Sequence, residues 1–421
     1  MGKSRFVSIQ QLQVGNYVRL PLSWKDHPFL FSSFRIKQQA QIELIKKLGI
    51  DSVYVDVAKS DTPPLEQEQI TDNNAVEFSE DVDELHQKME RYKAERIEIL
   101  KKMRRDLSKT EENFDRSLAR MRNLINKLRS RPLNAIGEAK ELIADIAEEL
   151  LSSDNLVLHL MADQKQDDGI YYHSLNVAVL SMLIAKELQW PRSDIESLGL
   201  GALFHDVGKL KLPSQVLRKQ TALTGPEQNL FNQHPLLGNE LIKLVDDFPS
   251  AATDVILNHH EYLDGSGSPR SLKADAISLP AQLAAVVNKY DMLCHPANGQ
   301  QAKTPYAALG YLYKYSKGKL NQEFIGKMIK MLGIYPPGSV VELTSGQFGL
   351  VMSVNLAKLL LPRILVYDPM VPKDQAPIID LESEGLQIAR CIAATALPEN
   401  IYKYLNPRER ISYYFGNDSK S

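Results

Sequence analysis

From Asp51 to Ile136 the chain has no glycine, and from Leu65 to Arg131 it has no proline. Within that stretch apolar side chains recur every three or four positions, at Leu85, Met89, Tyr92, Ile99, Met103, Leu107, Phe114, Leu118, Met121, Ile125 and Leu128. One face of an α-helix repeats at that interval, so the pattern predicts a long amphipathic helix over 78–135. Arg96 and Thr110 stand in seam positions and the phase slips near 103–107, as at a coiled-coil stutter. The seam offers either a homodimer interface or a face that packs on the chain's own domains, and one sequence leaves both readings open.

The flanking patterns differ. "YVRLPL" (17–22) and "SVYVDV" (52–57) read as strands around "QQAQIELIKKLG" (38–49), which has helical periodicity and stops at a glycine. This predicts a small α+β domain over 1–60 and a polar, proline-bearing linker over 61–77. Residues 136–335 read as mostly helical with short Gly/Pro breaks, and "VVELTS", "FGLVMSV" and "RILVYD" mark a β-rich extension over 336–421. The fold class is therefore mainly α, with a small α+β domain in front and a short β-rich segment behind.

Composition narrows the picture. At 421 residues the chain is long enough for two or three domains. A net charge of −2 argues against a broad nucleic-acid footprint, so neither DNA nor RNA is expected as partner. No apolar run reaches the roughly 18 residues that cross a bilayer, and "MGKSRFVSIQQLQVG" lacks the apolar stretch of a signal peptide. Cys294 and Cys391 are too few for a disulfide framework, and the expected location is the cytoplasm.

Histidine changes the picture most. Seven of the nine fall between 159 and 295, and imidazole is both the commonest metal ligand and the usual acid–base group near neutrality. In "SDIESLGLGALFHDVGKL" (193–210), Ser193 or Asp194 can cap a helix leading to His205 and Asp206, with Gly208 placed to end it and Lys209 just beyond. An HD pair alone is more often an ordinary polar helix end. In "NHHEYLDGSGSP" (258–269), His259 and His260 close an apolar-periodic stretch at a segment that cannot continue the helix. Burying two unpaired imidazoles would cost roughly a few kcal/mol each, and a metal offsets that cost. His173 and His234 each precede an apolar helical stretch, while His27, His86, His159 and His295 read as surface or supporting residues.

The ordered set His173, "HDVGK" (205–209), His234 and "HHEYLDGSGSP" (259–269) resembles the HD-GYP branch of the HD phosphohydrolase superfamily over roughly residues 150–340. Residues 6–56 resemble the small uncharacterised domain that often precedes it. The resemblance implies a helical domain holding two divalent ions, iron or manganese, and hydrolysis of a cyclic dinucleotide, cyclic di-GMP above all and cyclic GMP-AMP next. Carried over, His173, His205 and Asp206 bind one ion, His234, His259 and His260 the other, and Asp206 bridges. Lys209 and Asp206 carry the catalytic roles, and Lys209, Asp264, Gly265 and Gly267 contact substrate. A diguanylate cyclase or another signalling protein is an implied partner.

Several positions depart from the family pattern. Its Gly-Tyr-Pro is Gly267-Ser268-Pro269 here, Tyr262 replaces an arginine, and the "RPY" stretch is missing from "CHPANGQQAKTP" (294–305). The last metal-binding Asp aligns with Asn288, whose amide oxygen is a neutral and weaker ligand. Asp291, one turn on, either substitutes for it or serves as a hydrogen-bond partner. Gly169 stands where three-metal members place Glu, which points to two metals unless Asp167 or Asp168 reaches in. These departures support a rival expectation, a degenerate member that binds a nucleotide or a protein partner without turnover. A third reading, an HD enzyme acting on a nucleoside monophosphate, is disfavoured by the segment from His259 to Pro269.

Overall fold

The computed structural model describes residues 4–66, 80–128, 130–152, 156–161, 169–219, 221–243, 245, 247–296, 301–355, 362–381, 386–406 and 413–417. The N-terminal module is a four-stranded antiparallel sheet of β1 (Ser4–Ser8), β2 (Tyr17–Arg19), β3 (Ser33–Arg35) and β4 (Ser52–Asp56), in the order β1-β4-β2-β3. Helix α1 (Gln39–Lys47) buries Ile42, Leu44 and Ile45 against the sheet's Val18, Val53 and Val55, the alternate positions that share one face.

The glycine-free stretch forms α2 (Glu80–Leu128), followed by α3 (Pro132–Leu151). The expected helix over 78–135 is thus two helices, and 78–79 lie outside the described residues. Proline explains the break. Pro132 has no N–H to give to the preceding turn and disfavours α conformation at Arg131, yet it suits the first turn of a new helix. The seam of α2 faces inward at both ends. Val82 and Met89 pack on the N-terminal core, and Phe114, Leu118, Met121, Ile125 and Leu128 enter the main helical core. At its C-terminal end, therefore, the apolar stripe serves the chain's own packing.

The helical core centres on α4 (Gly169–Glu187), buried all round from Ser174 to Ala185, as expected for a helix whose apolar positions cover every side. Around it lie α5 (Arg192–Phe204), α6 (Ser214–Leu217), α7 (Gly225–Phe231), α8 (His234–Ile242), α9 (Ser250–Asn258), α10 (Leu279–Cys294), α11 (Pro305–Tyr315) and α12 (Gln322–Leu332). Helix α5 ends at Phe204, and a 3-10 turn spans Val207–Lys211. The residue before α5 is Pro191, so Ser193 and Asp194 lie inside the first turn and do not cap it.

The last sheet contains a strand that the pattern over 136–335 did not predict, β5 (Leu156–Leu160). Its antiparallel partners come from far along the chain. They are β7 (Phe348–Asn355), which also pairs with β6 (Val340–Leu343), and the final strand, numbered β11 (Tyr413–Asn417). Strands β8 (Arg363–Val366), β9 (Ile378–Asp380) and β10 (Ile388–Ile392) complete the sheet, with α13 (Glu399–Leu405) packed on it.

Lys93, on α2, is buried in the N-terminal module. Its ammonium donates to the carbonyls of Trp24 and His27 and sits 4.2 Å from the centre of the Trp24 ring. His27 is itself buried, which corrects its reading as a surface or supporting residue; burial, then Lys93, hold it down at about 4. Burial lowers Lys93 from 10.5 to about 8 against the pull of Asp26 and Glu90. Between those values the unfolded chain binds the extra proton, so folding stability rises with pH across the window. Wild type is expected to gain Tm relative to Lys93→Met between about pH 8 and pH 10; parallel Tm curves would mean that this ammonium stays solvated.

Candidate metal centre

Five imidazoles meet around one carboxylate where helices begin or end. His205 follows the last residue of α5, His234 opens α8, His259 and His260 follow α9, and His173 lies in the first turns of α4. Three of them are oriented by the same local device. The Nδ1 of His205 faces the Ala202 carbonyl at 2.6 Å, that of His234 the Phe231 carbonyl at 2.7 Å, and that of His259 the Ile256 carbonyl at 2.9 Å. A carbonyl can only accept, so each Nδ1 carries a hydrogen and each ring turns its Nε2 inward. His173 is held by a carboxylate instead: its Nδ1 is 2.6 Å from Asp291 Oδ2.

Asp206 stands between two groups. Its Oδ2 lies 3.4 Å from the Nε2 of both His173 and His205, and its Oδ1 lies 3.2 Å from His234 Nε2 and 3.8 Å from His259 Nε2. The ligand atoms of His173, His205 and Asp206 form one cluster, and those of Asp206, His234, His259 and His260 another, each within 4.8 Å. Burial alone would raise the Asp206 carboxyl, but Lys209 and then His205 hold it well below the ordinary carboxylate range. Burial is the first cause that lowers His234, His259 and His260, which keeps their lone pairs free of protons near neutrality.

These atoms fit a metal better than they fit each other. His173 Nε2 faces His205 Nε2 at 3.0 Å, and His234 Nε2 faces His259 Nε2 at 3.1 Å. His234 and His259 are both held neutral with Nδ1 hydrogen-bearing, so their contact opposes two lone pairs unless a cation lies between them. His260 Nε2 and Asp206 Oδ1 are buried with no hydrogen-bond partner among the described residues. An N/O ligand set without thiolate suits iron or manganese and accepts zinc as well.

The supporting residues come from several elements. Lys209 reaches back to Asp206 Oδ2 at 2.5 Å, and its ammonium lies 5.2 Å from the centre of the Phe231 ring. Gly208 has a reason other than ending a helix. A Cβ there would lie 1.9 Å from the His234 carbonyl oxygen and 2.5 Å from the Gly238 nitrogen, so its lack of a side chain lets the Asp206 turn lie directly on α8. Glu261 is buried and accepts the backbone N–H groups of Arg270 at 2.6 Å and Leu272 at 2.9 Å, shaping the loop beyond the paired histidines. Asp264 is exposed and its carboxylate accepts from Ser266 N–H and Oγ–H, while Gly265 takes φ +83°. Gly267 packs on Glu261 and Tyr262, where a Cβ would come within 2.3 Å of backbone.

Asp291 belongs to neither cluster; it is the hydrogen-bond partner of His173. Its Oδ1 accepts from Asn176 Nδ2 and lies 3.2 Å from His295 Nδ1. Burial disfavours its charge, yet His295 and His173 hold the carboxyl far below its ordinary range. Asn288, one turn earlier on α10, is buried with an amide oxygen lacking a partner among the described residues. Asp167 and Asp168 lie outside the described residues. His86 pairs with Glu90 at 3.6 Å on α2, and His159 lies in β5 opposite Tyr414. Asn176 was not anticipated, although a polar residue inside the apolar run "LNVAVL" is the signal that marks it.

Residues 140–323 match an HD domain, and residues 4–139 match a domain of unknown function, DUF3391. The chain therefore carries an HD domain with that module in front. It is similar to a cyclic di-GMP phosphodiesterase of Pseudomonas aeruginosa, 28% identical over 90% of this chain and 89% of the relative. It is also similar to a cyclic di-GMP phosphodiesterase response regulator of Xanthomonas campestris pv. campestris, 33% identical over 38% of this chain and 42% of that one. A 3′3′-cGAMP-specific phosphodiesterase of Vibrio cholerae is 28% identical over 46% of this chain and 45% of its own. The chain thus spans most of the first relative and less than half of the other two.

Removing the carboxylate behind a metal-facing imidazole typically weakens metal binding about 10–100-fold. Asp291→Ala is expected to lower Mn²⁺ affinity by that factor in equilibrium dialysis, with helix content by circular dichroism unchanged. Unaltered affinity in the folded variant would leave Asp291 a packing residue only.

Proposed function

We propose that the protein is a metal-dependent phosphodiesterase that opens a 3′–5′ linkage of a cyclic dinucleotide, cyclic di-GMP first and cyclic GMP-AMP second, to a linear dinucleotide or onward to mononucleotides. The observation that carries this reading is the pair of opposed Nε2 atoms on either side of one shared carboxylate. In this reading His173, His205 and Asp206 would hold one divalent ion, and Asp206, His234, His259 and His260 would hold the other. Iron or manganese, if bound by these residues, would supply Lewis acidity toward the phosphodiester and would lower the pKa of water toward neutrality.

The chain's own groups do the rest. The backbone carbonyls behind His205, His234 and His259 keep three rings in one tautomer, so no reorganisation is needed when charge builds on the phosphoryl oxygens. Lys209 supplies a positive charge beside Asp206; bound phosphate would compete for it, and the ammonium would follow the charge onto the departing oxygen. The loop that Glu261 shapes, with Asp264, Gly265 and Gly267, stands beside the paired histidines as the substrate's rim.

Asn288 and Ser268 favour the second reading, binding without turnover, because a neutral amide and a small hydroxyl occupy positions where the family places a carboxylate and an aromatic ring. Hydrolysis assays on both cyclic dinucleotides, with Mn²⁺ or anaerobic Fe²⁺, separate the two. Turnover is expected, with His205→Ala and Asp206→Ala each losing on the order of a thousandfold and Lys209→Ala losing kcat about 10²-fold with little change in KM. Tight nucleotide binding without turnover at any metal loading would establish the non-hydrolytic reading.

Asn288→Asp adds a carboxylate on the face of α10 that carries Asp291. It is expected to raise the metal retained through gel filtration. Unchanged metal content would place that side chain outside the coordination sphere.

A further inference from the structure

The N-terminal module and the C-terminal sheet grip each other around a gap. Phe31 leaves the module and is buried among Val341, Leu343, Val351 and Ile364 of the sheet. Beside it, the Ser32 N–H donates to the buried Asp368 carboxylate at 3.1 Å. These contacts fix the loop 28–34 against the sheet and leave a cavity of about 360 Å³ next to it. That volume lies within the roughly 300–1,000 Å³ of small-molecule sites, and the cavity shares no lining residue with the metal clusters.

Its chemistry is that of a ligand site with a direction. One wall is aromatic, since Phe29 and Phe34 stack with ring centres 4.2 Å apart. Met89 from α2 and Leu386 from the sheet segment bring apolar surface from two further elements. Tyr17 is buried and lines both this cavity and an adjoining one of about 280 Å³. Its hydroxyl makes no hydrogen bond among the described residues, and burial, then Asp368 and Asp56, push it up to about 12, so it stays a neutral donor. Among the described residues no carboxylate lines the cavity of 360 Å³, whereas Arg35 and Lys37 do. Arg35 is committed to Asp61 at 2.9 Å and to the Lys59 carbonyl, but the exposed Lys37 ammonium has no acidic partner among the described residues.

We propose that this cavity binds a small molecule with a planar apolar body and a single anionic group, its body against Phe29 and Phe34 and its charge toward Lys37. Because the walls come from the module, α2 and the sheet, the ligand would bind only while these are docked and would stabilise that docking. Nothing in this site depends on the chemistry of the metal centre.

The test uses the full chain and 1-anilinonaphthalene-8-sulfonate, which has such a body and charge, with the neutral N-phenyl-1-naphthylamine beside it. Fluorescence titration is expected to show one saturable site for the sulfonate, with a raised Tm. Leu386→Trp, which fills the cavity, should weaken binding at least about tenfold, and Lys37→Glu, at an exposed position where folding is not at risk, several-fold. The neutral probe should bind more weakly to wild type and should not distinguish Lys37→Glu from it. Absence of a saturable site, or a site that neither substitution alters, would overturn the proposal. Equal binding of both probes, unaffected by Lys37→Glu, would overturn the assignment of an anion.

Discussion

Three backbone carbonyl oxygens decide what the central cluster can do. Those of Ala202, Phe231 and Ile256 each claim the Nδ1 hydrogen of an imidazole three residues later. Each of these histidines follows or opens a helix, where carbonyls of the last turn lack the N–H partners that a continuing helix would supply. The helix end therefore does two things at once: it satisfies its own orphan acceptor and it fixes the imidazole's tautomer. The outcome is a set of Nε2 atoms turned inward, with those of His234 and His259 unable to satisfy each other, gathered about a carboxylate held in its charged form. A divalent cation is the partner such a set lacks.

Much of this was legible in the sequence because the information is local. Histidine immediately before a glycine- or proline-containing break states that the ring sits at a helix end, and the spacing of "HDVGK" and "HHE" separates two such ends. The unread parts depend on tertiary approach. Gly208 reads as a helix terminator from its neighbours, yet its reason is the His234 carbonyl 1.9 Å from where a Cβ would stand, on a helix that begins 26 residues later. The strand β5 has an unremarkable sequence, and its partners lie some 200 and 250 residues on, at β7 and β11. Asn288 and Asp291 share one face of α10, and periodicity cannot say which of two side chains a turn apart meets His173.

The long helix illustrates the same limit in reverse. Its seam was equally compatible with a second copy and with the chain's own domains, and its ends are occupied internally by the N-terminal core and by α3, α4 and β11. A buried lysine at its N-terminal end, hydrogen-bonded to carbonyls with Asp26 and Glu90 nearby, holds the module by a charge that desolvation disfavours. Such a contact costs more to form than an apolar one of equal size, so it confers orientation rather than strength.

The C-terminal strand bears directly on the metal centre. Tyr413 N–H in β11 donates to Asn176 Oδ1 at 2.9 Å, and the same amide's Nδ2 donates to Asp291, which holds His173. An amide has one acceptor oxygen and one donor nitrogen, so Asn176 can serve strand and carboxylate together only in one orientation. The Tyr413 hydroxyl meets that of Tyr290 at 2.9 Å, one residue before Asp291 on the same helix, so strand and helix are tied twice. Strand β11 thereby stands three hydrogen bonds from the His173 ring of the candidate cluster. Sheet and helical domain are joined through a buried polar path, in which loss of any one bond would leave a buried donor or acceptor unpaired. That penalty is what couples the seating of the strand to the orientation of the His173 ring.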